Sequence, residues 1–451
     1  MERELRANRK RTTSAVEDVT ELRKRHRGQP KPKNAPVPAP TIKDFSPVIG
    51  GNRGEDRSAT SQKRLAFQAI GYKANQWIEN TPVFSVSGIK LAALTNRPKN
   101  SKFTKDPSNL VIEEMQNLEA DACSGIWEDE DGNRLLCVFS SRIRALPQAL
   151  PEAELPQETS AEQVVRRLYP GPKGRTLADV EQSKANNIGV YYDGIPNDLL
   201  IQYHQSAQLL HSFLPPVAAE RDIRHPTDKV MQYKREGVGE ENDKISFEQT
   251  GVLHLVHAWH AQGHPNGLLY PSSDISRTGQ GTMAVNHYFN STRALALHLA
   301  ECFKVAFPDI YTKYQKAFDA GVWNESDPGP WIGRAIVWKL PVLIHQDGLD
   351  DGPTAAFNVG SYKGGEMYLP DIRVKLAYRP GDLLIFLSGQ LYHRVGDWEP
   401  LLMKKNQAHG LTPGRIGNVF FFPKTSYDVL KNKSPGWNKA TMTGKTADYR
   451  M

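Results

Sequence analysis

The chain has 451 residues, 39% hydrophobic and 24% charged, with a mean hydropathy of −0.54. That gives room for two or three ordinary domains or one elaborated domain, and no apolar run approaches the length of a bilayer-crossing helix. Three cysteines (Cys123, Cys137 and Cys302), odd in number and without a CxxC pair, argue against a disulfide scaffold or a cysteine zinc site and for a reducing compartment.

The net charge of +7 is concentrated at one end. Residues 1–40 carry eleven Lys or Arg against five Asp or Glu, leaving 46 against 45 in the remainder. The basic character therefore belongs to an arm, not to a folded surface. Residues 1–60 are expected to be a disordered basic tail, since RKR (9–11), RKRHR (23–27) and QPKPKNAPVPAP offer little apolar surface to offset ordering entropy. A short helix over 15–27 is compatible with this. The basic clusters read either as a solvated tail or as a nuclear-localisation or nucleic-acid-binding arm. MERELRANRKR has no apolar segment, so a secretory signal is not expected.

A small β-containing region is expected over 61–150. SVSGIKLAAL and RLLCVFSSRIRAL alternate as strands do, and DEDGN (129–133) marks a hairpin turn before the second. Arg134 stands where a calcium loop of the EF-hand type needs glycine, which removes that reading. Residues 151–185 read as a connector, with a helix at AEQVVRRLY. PGPKGRT within it lacks the spacing of a phosphate-binding loop.

The main region is expected over 186–430, followed by a C-terminal tail at 431–451. NDLLIQYHQSAQLLHSFLPP has helical spacing. STRALALHLAECFKVAFPDIYTKYQKAF reads as one helix with a Ser-Thr cap, ending near Gly321 and carrying His298 on its face. GVLHLVHAWHAQGHPNG (251–267) places His254, His257, His260 and His264 on one face if helical. No carboxylate or cysteine is interleaved, so packing or surface is favoured over a metal role. From 332 to 427 the texture is short strands separated by Gly, Pro and Asp, which predicts an antiparallel barrel or jelly roll. The fold class is thus α+β, a jelly-roll core with supporting helices.

LIHQDG (343–348) carries His345 and Asp347 two residues apart, on one face if the segment is a strand. LYHRV offers a third group, His393, flanked at the same parity by Leu391 and Val395. Tyr392 and Arg394 would then face out. Two histidines and one carboxylate form the facial triad of non-haem Fe(II) oxygenases. In RIGNVFFFP, Arg415 shares a face with Val419 and Phe421 and so points inward. A buried guanidinium needs an anion, and the distal carboxylate of 2-oxoglutarate suits its fork.

The order HxD, GGEMYLP, YRPGDLLIF, inward His and inward Arg resembles the 2-oxoglutarate/Fe(II) dioxygenase superfamily, closely over 332–427 and more weakly upstream. FNVGSYKGGEMYLPDIRVKLAYRPGDLLIF resembles its fungal TET/JBP-like branch. The resemblance implies a double-stranded β-helix and an enzyme that hydroxylates its substrate with Fe(II), 2-oxoglutarate and O2. His345, Asp347 and His393 would be the catalytic iron ligands, and Arg415 the 2-oxoglutarate residue, with Asn358 a candidate for the same pocket or its mouth.

It further implies a methylated DNA base such as 5-methylcytosine as substrate, flipped into the pocket, with DNA as partner and no membrane. Tyr362, Trp398 and Asp350 are candidate substrate contacts, although Asp350 and Asp351 also read as surface loop. The expected location is the nucleus, with the cytoplasm as alternative. A protein or small-molecule hydroxylase is the second reading, and a non-catalytic nucleic-acid-binding module the third. Two departures from the family pattern stand out. GDWEPLLMKKNQAHGLTP, containing Lys404 and Lys405, looks inserted between His393 and Arg415. Gly417 also stands where a hydroxyl residue is common, two positions after the arginine.

Overall fold

The computed structural model describes residues 74–75, 77–79, 81–97, 108–141, 193–217, 224–225, 250–261, 264, 267–400 and 414–442. Short apolar and aromatic runs bounded by Gly, Pro and Asp form the strands. These are β1 (Val83–Ser85), β2 (Gly125–Glu128), β3 (Arg134–Phe139), β4 (Gly251–Val256), β5 (Trp259–His260), β6 (Leu269–Tyr270) and β7 (Gly333–Trp338), followed by β8 (Thr354–Gly364), β9 (Met367–Leu369), β10 (Val374–Leu376), β11 (Leu383–Phe386), β12 (Arg394–Val395), β13 (Trp398–Pro400) and β14 (Gly414–Phe421). The helices are α1 (Leu91–Thr95), α2 (Ser108–Met115), α3 (Asn197–Phe213), α4 (Gln280–Ser291), α5 (Arg293–Ala306), α6 (Pro308–Gly321), α7 (Lys424–Leu430) and α8 (Trp437–Ala440).

The fold is α+β. A mixed nine-stranded sheet runs β1-β2-β3-β11-β8-β14-β7-β4, with β13 added to the end of β8; a smaller sheet runs β10-β9-β12. Pairing in both is antiparallel except between β1 and β2. Leu383, Ile385 and Phe386 of the larger sheet, Leu369 and Val374 of the smaller, and Leu299 and Phe303 of α5 are buried in one hydrophobic core. The hairpin expected from DEDGN is present. Asp129 closes it, accepting the backbone N–H groups of Asp131 and Asn133. β3 then joins β11, so the region after residue 61 extends the larger sheet.

Two expectations are corrected, and the helical condition set on the histidine run is not met. SVSGIKLAAL is not one strand, because only Ser85 belongs to β1 and Leu91–Thr95 is helical, with its first N–H taken by Asp129 at 2.7 Å. Residues 251–261 are not helical. Val252, Leu253, Leu255 and Val256 are a buried apolar run whose backbone pairs with β7, and cross-strand pairing wins where such a run has no decisive period. The helix expected over 291–321 is two helices, α5 and α6, since Pro308 has no N–H to donate and starts a new helix at its first position. Thr292 caps neither helix by its side chain. Its hydroxyl donates to the Tyr288 carbonyl and accepts from Arg334. The end at Gly321 is as expected.

The basic tail at 1–60, the connector at 151–185, and Lys404 and Lys405 lie outside the described residues. In the expected C-terminal tail, α8 is helical and Asn438 is buried. Among the described residues, no helix is long and apolar enough to cross a membrane.

Candidate metal centre and cosubstrate pocket

His345 and Asp347 lie on an extended segment that is not a regular strand. An isolated antiparallel bridge joins His345 to His393, each backbone N–H donating to the other's carbonyl at 3.0 and 2.9 Å. The N–H of Asp347 donates to the Ser388 carbonyl at 3.0 Å, and Gln346 turns away to donate its side-chain amide to the Gln390 carbonyl. Parity therefore holds across three residues without a full ladder. It fails at Tyr392, expected outside, which is buried with Arg97 over its ring at 5.1 Å.

The potential ligand atoms of His345, Asp347 and His393 all lie within 4.8 Å of one another. Nε2 of His345 is 3.5 Å from Asp347 Oδ1, and Nε2 of His393 is 3.6 Å from Oδ2. Each imidazole places Nδ1 against a backbone carbonyl two residues earlier: His345 against Leu343 at 2.8 Å and His393 against Leu391 at 3.1 Å. A carbonyl only accepts, so the proton sits on Nδ1 and the Nε2 lone pair faces the centre. Phe386 meets the His393 ring edge-on at 5.1 Å and fixes its plane.

The electrostatics suit a cation. Burial opposes ionisation of Asp347. His345, then His393 and Arg224, outweigh it and hold the carboxyl below the ordinary range. Burial, then the neighbouring His345, pushes His393 down to about 4, so it is neutral and able to ligate. Two imidazoles and one carboxylate fit a divalent metal such as iron. Arg224, which sequence reasoning missed, reaches Asp347 Oδ1 at 3.4 Å. Its carbonyl takes the N–H of Leu343, and next to it the ring of His225 meets the Pro341 carbonyl at 2.7 Å.

Arg415 is 3% exposed. β14 pairs with β8 so that Gly417 opposes Asn358 and Arg415 opposes Gly360. Gly360, at φ +121°, allows the close approach, because an added Cβ would collide with the Gly414 carbonyl. Arg415 Nη2 donates to Asn358 Oδ1 at 2.5 Å, and the Asn358 amide donates to the Tyr378 carbonyl at 3.0 Å. Arg415 Nε is buried with no hydrogen-bond partner, and among the described residues no carboxylate pairs with the guanidinium. A buried cation without an anion fits a pocket made for a carboxylate.

The other candidates are distributed around these two groups. Trp398 is 3% exposed and meets Tyr362 edge-on at 6.3 Å, forming wall rather than surface. Tyr362 is half-buried and donates to the Tyr378 carbonyl at 3.4 Å. Asp350 follows the triad directly. Its N–H donates to the Asp347 carbonyl at 2.8 Å, and burial, then the Asp347 charge, raises its carboxyl well above the ordinary range. Asp351 is half-buried and faces Lys424 at 3.8 Å.

The histidines of 251–267 bind no common centre. His257 is fully buried; its Nε2 donates to Asp327 at 3.0 Å while Nδ1 accepts from the N–H groups of Trp323 and Asn324. Asp327 in turn lies 2.6 Å from Arg334, whose guanidinium is enclosed by Phe289 and Phe420.

No family model and no curated protein matches the chain. Solved structures do. One is NgTET1 in complex with 5mC DNA, 13% identical over 84% of this chain and 97% of that one, TM-score 0.39. A second is a 2OG-Fe(II) oxygenase family protein from Caulobacter crescentus, 14% identical over 51% and 74%, TM-score 0.24. A third is JOX2 in complex with 2OG, Fe and JA, 13% identical over 51% and 65%, TM-score 0.24.

The chain is similar to 2OG-Fe(II) oxygenases of solved structure.

Proposed function

We propose that the protein is an Fe(II)- and 2-oxoglutarate-dependent dioxygenase that hydroxylates a methylated base in DNA, such as 5-methylcytosine. The observation that carries the dioxygenase reading is the convergence of His345 Nε2, His393 Nε2 and the Asp347 carboxylate, with both Nδ1 atoms committed to backbone carbonyls. The two sheets are then the halves of a double-stranded β-helix, with the triad held between segments bridged at His345 and His393.

Bound iron, 2-oxoglutarate and O2 would together supply the oxidising power for an inert C–H bond, which no side chain provides. The chain's own residues supply placement and charge. Asp347 stays ionised and would offset part of the metal charge, while neutral His393 would add none. Arg415 and Asn358, bonded to one another, would hold the far carboxylate of the keto acid and so fix its direction. Leu391 and Phe386, both buried, keep water from the His393 side.

Support for the DNA substrate comes from the +6 charge of residues 1–40 and the TET/JBP-like resemblance of 357–386. The basic clusters also make the nucleus the proposed location. A protein or small-molecule substrate is the second reading, favoured by the near balance of charge beyond residue 40.

The test is incubation with Fe(II), 2-oxoglutarate, O2 and methylated duplex DNA, with nucleosides read by mass spectrometry and succinate measured in parallel. Oxidised bases absent with Asp347→Ala are expected. Succinate without oxidised bases would reject DNA and keep the dioxygenase; neither product would reject both.

A further inference from the structure

We infer that Tyr378 is a cosubstrate-binding residue, its phenol acting with Arg415 as a second donor to the far carboxylate of the keto acid, and that Gly417 must lack a side chain for this pocket to work. This rests on the dioxygenase reading. Tyr378 is 2% exposed, on the turn between β10 and β11, and is one of few non-glycine residues with a left-handed backbone, at φ +45°. Such a conformation persists only where its surroundings impose it, and it concentrates at functional sites.

The surroundings here are specific. Asp382, buried three residues past Arg379, accepts the N–H and the hydroxyl of Ser141, each at 2.7 Å, and the Arg379 N–H at 2.7 Å. Ala377 donates its N–H to the Asp121 carbonyl. The turn is thereby tied to the end of β3 and to the segment before β2.

So fixed, Tyr378 organises the pocket from both ends. Its carbonyl accepts from Asn358, the residue that holds Arg415, and from Tyr362. Its ring lies under Arg415, with Cζ 5.4 Å from the ring centroid. Burial pushes the phenol up to about 12 against the pull of Arg415, so it remains a donor. A cation, a neutral donor and an oriented amide meet in one buried place, and the arginine has no anion among the described residues. A carboxylate completes that set.

Gly417 supplies the room. An added Cβ there would lie 3.1 Å from Arg415 Nη1 and 3.6 Å from Cζ and Nη2, so the guanidinium would have to give by a few tenths of an ångström. The glycine at 417 and the position of Tyr378 thus explain one another. A hydroxyl at 417 is replaced by a phenol on the neighbouring turn.

Full-length protein loaded with Mn(II) is titrated with 2-oxoglutarate and, separately, with oxalate, which chelates the metal but lacks the far carboxylate. Tyr378→Phe keeps the ring, and its expected effect is about tenfold or more weaker 2-oxoglutarate binding, with Mn(II) and oxalate affinities and Tm unchanged. Gly417→Ser is expected to weaken 2-oxoglutarate binding selectively as well, although it installs a hydroxyl. Equal 2-oxoglutarate affinity in Tyr378→Phe and wild type, equal losses for both ligands, or tighter binding in Gly417→Ser would overturn the inference while leaving the dioxygenase reading intact. Wild type that binds Mn(II) and oxalate but not 2-oxoglutarate would overturn both.

Discussion

Two clusters in this molecule, one buried and one half-buried, use nearly the same residues. His257, Asp327 and Arg334 form one; His345, His393, Asp347 and Arg224 form the other. In the first, both ring nitrogens of His257 are bound by the protein, and Arg334 lies against Asp327 between aromatic faces. Each histidine in the second binds the protein through Nδ1 alone and turns Nε2 toward a shared carboxylate. The first is closed and structural; the second is open and can take a ligand. Residue type does not separate them, whereas the count of committed nitrogens does.

Removing the carboxylate from each cluster should give opposite phenotypes. Asp347→Ala is expected to abolish Fe(II) binding and turnover with Tm unchanged or raised, measured by anaerobic metal titration and calorimetry. Asp327→Ala leaves Arg334 buried without its anion and is expected to cost about 3–5 kcal/mol of stability, while folded protein still binds Fe(II). If Asp327→Ala also lost the metal with its fold intact, the distinction between the clusters would fail.

The next effect belongs to the cosubstrate. Arg415→Met is expected to weaken 2-oxoglutarate binding about 10- to 100-fold by titration, leaving Fe(II) affinity in place. A joint loss of metal and cosubstrate would mean that Arg415 supports the triad rather than its ligand.

The closed cluster also sets an acid limit. Burial opposes the Asp327 carboxylate, but Arg334 and then His257 hold it at about 2. The unfolded chain takes up this proton in the ordinary carboxylate range and the folded chain does so only near 2. Its contribution is therefore complete above that range and is lost as pH falls through about 2. Burial likewise keeps His257 neutral, below its ordinary value. Because the unfolded chain protonates it first, stability falls as pH drops below about 6.5. Calorimetry from pH 8 downward should show this loss, reduced in Asp327→Asn. The smallest expected effect is at Arg224, which is 37% exposed at its side chain. Arg224→Gln should strengthen Fe(II) binding by no more than about fivefold, fading with added salt.

The triad of the open cluster was legible in the sequence; Arg224 and the closed cluster were not. His345 and Asp347 share a face by spacing alone, and His393 and Arg415 follow on later extended segments, so parity and chain order sufficed. His257 meets Asp327 across 70 residues and Arg224 meets Asp347 across 123, contacts that no local pattern encodes. Tyr378 escapes a sequence reading because its importance lies in a left-handed turn set by Asp382 and Ser141. The packing role favoured over a metal role for the histidines of 251–267 is seen at buried His257. Spacings of three, three and four share a face only on a helix, and 251–256 pairs as a strand. Pro308 is a readable break, masked by helical spacing on both sides of it.

The most direct test is an anaerobic titration of Fe(II) with 2-oxoglutarate, following the visible absorption of the iron–keto acid chelate. A band that saturates stoichiometrically in wild type, vanishes in Asp347→Ala and persists in folded Asp327→Asn is the predicted result. A wild-type protein without the band, or one whose band survives Asp347→Ala, would contradict the assignment of the open cluster as an iron site.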